Sequence, residues 1–325
     1  MGPINDQHGL EQGGCNSSDL YKIYNNDLLK TLQKFQQGVD IGDGLFVSGV
    51  GQADDVALLS NDLYKLFNIL LLTLNFCKRY NIELCADKTK LLMISREADK
   101  RFIPLNPINI NGHAIDFSDQ AEHVGIIRSC NGNMPNLVNR FTSHRKALAA
   151  SLPCGTARSH RANLAACLSI EKLYALPVLM SGLASLVLSS TEINHLDQHY
   201  LNTLRRLLKL HEGTPHPFVY FLSGSLPGRA YLHLRHISLY SMISRFQNNP
   251  LNIRAKYVLT RLSPTSKSWF TQIRDIFHLY GLPHPLSVLV SPPSKSKFKS
   301  LAKPLVTDYW EKKLRQDLSA LPSLD

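Results

Sequence analysis

The chain has 325 residues, 36 Lys plus Arg against 25 Asp plus Glu, and a formal net charge of +11, a length that suits about two domains of roughly 100–200 residues. Hydrophobic residues at 44% and charged residues at 19% argue against wholesale disorder. The longest nearly apolar run, residues 175–188, is broken by Pro177, Ser181, Gly182 and Ser185; it falls short of the about 20 residues of a bilayer span, and the N-terminus lacks the basic start and apolar core of a signal peptide, so a buried helix in an intracellular, non-membrane protein is expected.

Asn16, Ser17, Ser18 and Asp19 are N-cap types, and an apolar stripe follows at Leu20, Ile23, Tyr24, Leu28, Leu32 and Phe35. That spacing predicts a helix ending near Gly38. Residues 45–50 and 56–59 read as two short strands, so Asp54 and Asp55 are expected at or beside a tight hairpin turn. Asn61-Asp62 caps a second helix through Leu63, Leu66, Phe67, Leu70, Leu74 and Cys77. Residues 82–84 and 91–94 look like strands, Asn111-Gly112 is a hairpin turn between 108–110 and 114–117, and a further short strand fits 123–127. Helical periodicity dominates from Pro135 to about Leu210, then over 229–246 and 269–280, with Pro and Gly clusters near 213–217, 224–228 and 283–293. Residues 292–297 read as a linker before a last amphipathic helix at 305–318. The expected architecture is α+β: a small mixed unit followed by a larger helical one.

Charge is unevenly placed. Residues 1–127 hold 11 basic and 16 acidic side chains, a balance of −5, whereas the remainder holds 25 and 9, a balance of +16. An acidic half joined to a basic half points to metal or catalysis in one part and a polyanion in the other. Arg128, Arg140, Arg145, Lys146, Arg158, Arg161 and Lys172 share a stretch with a single acid, Glu171; such a stretch suits a nucleic-acid backbone or a solvated helical surface equally. The six cysteines never form a C-x-x-C pair, which reads as reduced, buried thiols. His195 with His199 and His233 with His236 have helix-face spacing but no Cys or carboxylate partner at finger spacing, so they are expected on polar helix faces.

The adjacent aspartates are the sharpest chemical signal. Two like charges beside apolar strands cost free energy unless a cation or hydrogen bonds compensate them. Mg²⁺ suits carboxylate oxygens, and two such ions about 3.5–4 Å apart support nucleotidyl transfer. An Asp-rich turn facing water is the plain alternative.

Four motifs in order carry a family resemblance. Val50-Gly51-Gln52-Ala53-Asp54-Asp55-Val56-Ala57-Leu58-Leu59 resembles the "x-A-D-D" catalytic hairpin of reverse transcriptases from non-long-terminal-repeat (LINE-type) retrotransposons. Upstream, His8-Gly9-Leu10-Glu11-Gln12-Gly13-Gly14 is similar to the family's "G-x-x-Q-G" loop, and Tyr24-Asn25-Asn26-Asp27-Leu28 to its "Y-x-N-D-L" helix. Ala86-Asp87-Lys88-Thr89-Lys90 resembles the "N-x-x-K-T" segment, and His123-Val124-Gly125 stands where the family has its "Y-L-G" primer-grip turn. The resemblance is good over residues 8–127 and continues weakly into 128–210.

This resemblance implies a partial polymerase palm, an antiparallel sheet with helices, at 1–127; a basic, thumb-like helical segment at 128–212; and a helical C-terminal extension at 213–325 with a Pro/Ser/Lys-rich linker near 283–304. Asp54 and Asp55 are the implied metal ligands and Lys88 the implied support for the pyrophosphate leaving group. Gln12, Gly13 and Gly14 face template or incoming nucleotide, the two glycines by having no Cβ. His123, Val124 and Gly125 hold the primer end, and Arg140, Arg145, Lys146, Arg158, Arg161 and Lys172 track the duplex backbone. The implied partners are an RNA template and a DNA primer, and the implied cofactor is Mg²⁺.

The sequence also departs from the family. Gln52 replaces the usual aromatic, and Cys15-Asn16-Ser17-Ser18 replaces Leu-Ser-Pro after the glycine loop. The family's first catalytic aspartate lies on a strand well upstream of that loop, and only seven residues precede His8. The 325 residues are therefore expected to be a truncated polymerase, its two-metal site incomplete and its partner the N-terminal part of the enzyme. A non-catalytic basic nucleic-acid-binding module and an unrelated helical scaffold are the competing readings.

Overall fold

The computed structural model describes residues 16–85, 87–94, 107–110, 112–130, 132–152, 163–247, 249–261, 263 and 265–321. The chain is α+β and divides into two compact units, Met1–Cys130 and Asn131–Asp325.

In the first unit, helix α1 (Ser17–Lys34) leads into four short strands: β1 (Val39–Gly42), β2 (Leu45–Val47), β3 (Gly49–Gln52) and β4 (Asp55–Leu58). They pair as two antiparallel hairpins, β1 with β2 and β3 with β4. The strand expected over 45–50 is interrupted at buried Ser48, and β1 was not expected at all. Helix α2 (Leu63–Arg79) starts where the sequence predicts, because the Asp62 carboxylate accepts from the backbone N–H of Lys65 at 2.9 Å. Leu28 and Leu32 of α1 and Ile69 of α2 form the small core of this unit, with Leu29, Leu58, Leu72 and Phe76 half-buried around it. The front of the predicted α1 stripe stays in solvent: Leu20, Ile23 and Tyr24 are exposed.

Residues 82–84 carry no regular secondary structure, and β5 (Lys90–Leu92) pairs in parallel with β7 (His113–Ser118). Strand β6 (Ile108–Ile110) pairs antiparallel with β7 around Gly112, as the sequence predicts; Asn111 lies outside the described residues. The single strand expected over 123–127 is instead a hairpin, β8 (Gln120–His123) with β9 (Ile126–Ser129). Its two-residue turn, Val124-Gly125, has φ of 53° and 69°, the pair of positive angles that matches the twist of antiparallel strands. Among the described residues the strands form four separate small sheets.

The second unit is helical: α3 (Met134–Ser151), α4 (Leu164–Ile170), a π-helical turn (Glu171–Ala175), α5 (Leu176–Met180), a 3₁₀ turn (Leu183–Ser185), α6 (Ser190–Leu208), α7 (His216–Ser223), α8 (Gly228–Arg245), α9 (Pro250–Arg261), α10 (Trp269–Leu279), α11 (Pro285–Val290) and α12 (Lys295–Ser319). The expected buried helix over 175–188 is broken at Ser181-Gly182, where Gly182 takes φ of 75°, yet Leu176, Leu179, Met180, Leu183, Leu186 and Leu188 are all buried. The stretch Leu164–Ser185 is long and apolar enough by length and composition to cross a membrane, which alone is weak grounds for such a role.

The core gathers around α8. Tyr240 donates to the Pro285 carbonyl at 2.8 Å, Trp310 Nε1 donates to the Tyr280 hydroxyl at 2.8 Å, and Trp269 Nε1 donates to the Ala184 carbonyl at 2.7 Å. Tyr240 and Trp310 are buried and Trp269 half-buried, each with its polar atom satisfied. The 283–304 stretch, expected as a linker, carries α11 and the first turns of α12. Its Pro and Ser residues are helix starters: Pro285 sits in the first turn of α11, and the Ser294 hydroxyl caps α12 by accepting from the Lys297 N–H. Phe298 and Ala302 bury this early part of α12 in the core.

Candidate functional site

The β3–β4 hairpin carries Asp54 and Asp55. Gln52 pairs with Asp55 across it, which leaves Ala53-Asp54 as the two-residue turn, and both carboxylates are exposed. Ala53 adopts φ of 52°, a region that residues with a Cβ rarely occupy. Two features press the hairpin onto α1. A Cβ on Gly49 would stand 2.8 Å from Cδ1 of Leu32, and one on Gly51 would stand 3.4 Å from Cδ1 of Leu29; the missing side chains let strand and helix approach. At the tip, the Asn25 side chain donates to the Ala53 carbonyl at 3.0 Å. Tyr21, one helical turn before Asn25 on α1, has its phenol pushed up by burial and then by the Asp54 carboxylate.

Mg²⁺ is commonly held by one or two carboxylates with waters completing an octahedron, and the Asp54-Asp55 pair fits one such ion. A two-ion site needs carboxylates from a second strand. Among the described residues no group of three His, Cys, Asp or Glu side chains comes together as a metal site.

Among the described residues, the other expected ones lie on other elements. Lys88 is exposed in a turn after Cys85, closed by the Lys88 and Thr89 N–H groups donating to the Cys85 carbonyl. His123 ends β8, its Nε2 buried with no hydrogen-bond partner among the described residues, and Val124-Gly125 form the β8–β9 turn. Among the described residues no hydrogen bond or ion pair ties Lys88 or His123 to either aspartate. Gln12, Gly13 and Gly14 lie outside the described residues, as do Arg158 and Arg161.

On α3, Arg145 and Lys146 are exposed and Arg140 is half-buried, while Leu137 and His144 face the core. Lys172 differs from these. Its ammonium donates to the Ser223 and Gly224 carbonyls at 3.3 and 2.8 Å, so its charge sits on the C-terminal end of α7.

Glu171, the lone acid of the basic stretch, is fully buried on the π turn. Tyr200 donates to its Oε2 at 3.2 Å, His144 Nε2 lies 3.8 Å from its Oε1, and His144 Nδ1 meets His199 Nε2 at 3.0 Å. Burial, then His144, Arg145 and Arg206, hold the His199 imidazole down to about 4. Burial likewise lowers His233 to about 3, with His236 and Arg229 adding to it. Of the histidines expected on polar helix faces, only His195 is exposed; His236 is buried and His199 and His233 are partly so.

The sequence reading missed Asn25 and Tyr21 at the hairpin. The available signal was a polar residue at 25, one turn before Leu28 and two before Leu32, on the face of α1 that the core requires. No protein-family model matches the chain, and comparison with curated proteins finds no similar one.

Proposed function

We propose that the chain is part of an RNA-directed DNA polymerase of the LINE-type retrotransposon class: the second half of a palm, a thumb-like helical segment and a helical extension. The observation that supports this reading most is the aspartate pair at the tip of a two-residue hairpin, set among the Gln12–Gly14, Tyr24–Leu28, Lys88 and His123–Gly125 motifs in the family's order. Asp54, with Asp55, holds Mg²⁺ for nucleotide addition, and the ion supplies charge neutralisation at the reacting phosphate. Lys88 supports the leaving pyrophosphate, the Val124-Gly125 turn holds the primer end, and Arg140, Arg145 and Lys146 bind the backbone of an RNA–DNA duplex.

One carboxylate hairpin supplies one side of a two-ion clamp, so the 325 residues alone should show no primer extension above background with Mg²⁺ or Mn²⁺. Joined to the upstream fingers and first palm strand of a related element, the chain should extend a primer on an RNA template. The competing reading, a basic nucleic-acid-binding module, is supported by the +16 balance of residues 128–325; it predicts salt-sensitive binding and no extension in the joined protein. Robust extension by the 325 residues alone, abolished by Asp54→Asn, would mean that another carboxylate completes the site.

A further inference from the structure

We infer that Asn25 is a positioning residue for Asp54, acting through the backbone of the hairpin turn. The inference rests on the reading of Asp54 and Asp55 as metal ligands and adds a residue that the motifs leave unassigned: within Tyr24-Asn25-Asn26-Asp27-Leu28, Asn25 occupies the unspecified position.

The face of α1 that packs inward carries Leu28 and Leu32, both buried, and one turn earlier Asn25, which is only 5% exposed. A primary amide buried on an apolar face is costly unless it is hydrogen-bonded. The Asn25 amide donates at 3.0 Å to the carbonyl of Ala53. That carbonyl shares a peptide plane with the N–H of Asp54, and the plane is rigid. Fixing the oxygen therefore fixes the direction in which the chain enters Asp54, and with it the Cα–Cβ bond that aims the carboxylate.

The turn needs such a hold. Ala53 sits at φ of 52°, where its Cβ crowds the following carbonyl, and a residue there persists only when its surroundings determine it. Tyr21 stands one helical turn before Asn25 on α1, and its phenol is pushed up by burial first and then by the Asp54 carboxylate. The run Asn25, Ala53, Asp54 thus links one face of α1 to one carboxylate. Asn26, the next residue, is exposed and shares none of this.

The test measures Mn²⁺ affinity of the full 325-residue chain by electron paramagnetic resonance of free Mn²⁺, together with hydrogen-exchange protection of β3 and β4. Asn25→Leu keeps the size and burial of the side chain and removes its donor. It should weaken Mn²⁺ binding about 10-fold, the low end of the 10–100-fold range for groups that orient a metal ligand, while protection of β3 and β4 stays within about twofold. Asn26→Ala should change neither, and Asp54→Asn should remove the binding. If Asp54→Asn removes binding but Asn25→Leu leaves it intact, the positioning role is wrong and the metal reading stands. If Asn25→Leu strips protection from β3 and β4, the residue serves only to dock the hairpin and the inference is overturned. If the parent chain binds no Mn²⁺, or Asp54→Asn has no effect, the metal reading fails and the inference falls with it.

Discussion

Replacing Gly49 with alanine should loosen the carboxylate hairpin, whereas the same replacement at Gly51 should leave it in place. A Cβ on Gly49 would meet Cδ1 of Leu32 at 2.8 Å, closer than such contacts are made, with Leu58 Cδ2 at 3.6 Å behind it. Leu32 is 1% exposed and packs with Leu28 and Ile69 in the core of this unit, so its methyl has to shift within packed surroundings. Overpacking of this kind costs about 1–3 kcal/mol. At Gly51 the nearest atom is Cδ1 of Leu29, 3.4 Å away on a half-buried side chain, so alanine there makes an ordinary contact and gains strand propensity over glycine. Both tryptophans, Trp269 and Trp310, lie in the second unit, so their fluorescence does not report on this hairpin. Hydrogen exchange read on peptides from α1 and the β3–β4 hairpin does. At about 1.4 kcal/mol per factor of ten, Gly49→Ala should speed exchange there roughly 5- to 100-fold, and Gly51→Ala less than about threefold. Equal effects of the two substitutions would refute the packing account of how the hairpin is held on α1.

Val124 carries a β-branched side chain at φ of 53°; Val124→Gly should stabilise the β8–β9 hairpin by about 0.5–1 kcal/mol in exchange measurements, since relief of about 1–2 kcal/mol of backbone strain exceeds the entropy glycine adds to the unfolded chain. In the second unit, His199 and His233 titrate near 4 and 3 when folded, below the ordinary 6.5. The unfolded chain therefore binds more protons between those values, and the tryptophan-monitored unfolding midpoint should fall as pH drops from about 6.5 toward about 4; His199→Gln should flatten that slope. Binding of an RNA–DNA duplex through about 4–8 phosphates should give a slope of log K against log salt of about −4 to −7, reduced when Arg145 and Lys146 are both replaced by alanine; affinity independent of salt would remove the electrostatic argument.

Where a local signal dictated the outcome, the sequence was readable. Asp62 is both the predicted and the observed cap of α2, and the turn between 52 and 55 places the aspartates where alternation of short strands puts them. Signals that serve two purposes misled. The Pro and Ser residues of 283–304 suggest a linker, yet there they start α11 and α12, and only the burial of Phe298 and Ala302 decides between the two. Strand β1, four residues with a glycine at its end, has too short a pattern to register. The long-range contacts were out of reach for a different reason. Asn25 meets Ala53 across 28 residues, and Lys172 meets Ser223 and Gly224 across more than fifty; no periodicity encodes a partner so distant. Glu171 stood out as the one acid in a basic stretch, but its burial against Tyr200 and near His144 depends on how α3, α6 and the π turn pack.

The central claim is that Asp54 is a catalytic carboxylate, and single-nucleotide incorporation tests it most directly. In the chain joined to a related element's fingers and first palm strand, the pre-steady-state rate of adding one nucleotide to a DNA primer on an RNA template is compared with that of the Asp54→Asn form. The account predicts a loss of at least about 10²–10³-fold in that rate, the scale of removing a preorganised electrostatic group, with primer-template affinity nearly unchanged. Lys88→Ala should cost less, about 10- to 100-fold. A well-folded joined protein that adds nucleotides equally fast with aspartate or asparagine at position 54 would contradict the assignment of this hairpin as the catalytic one.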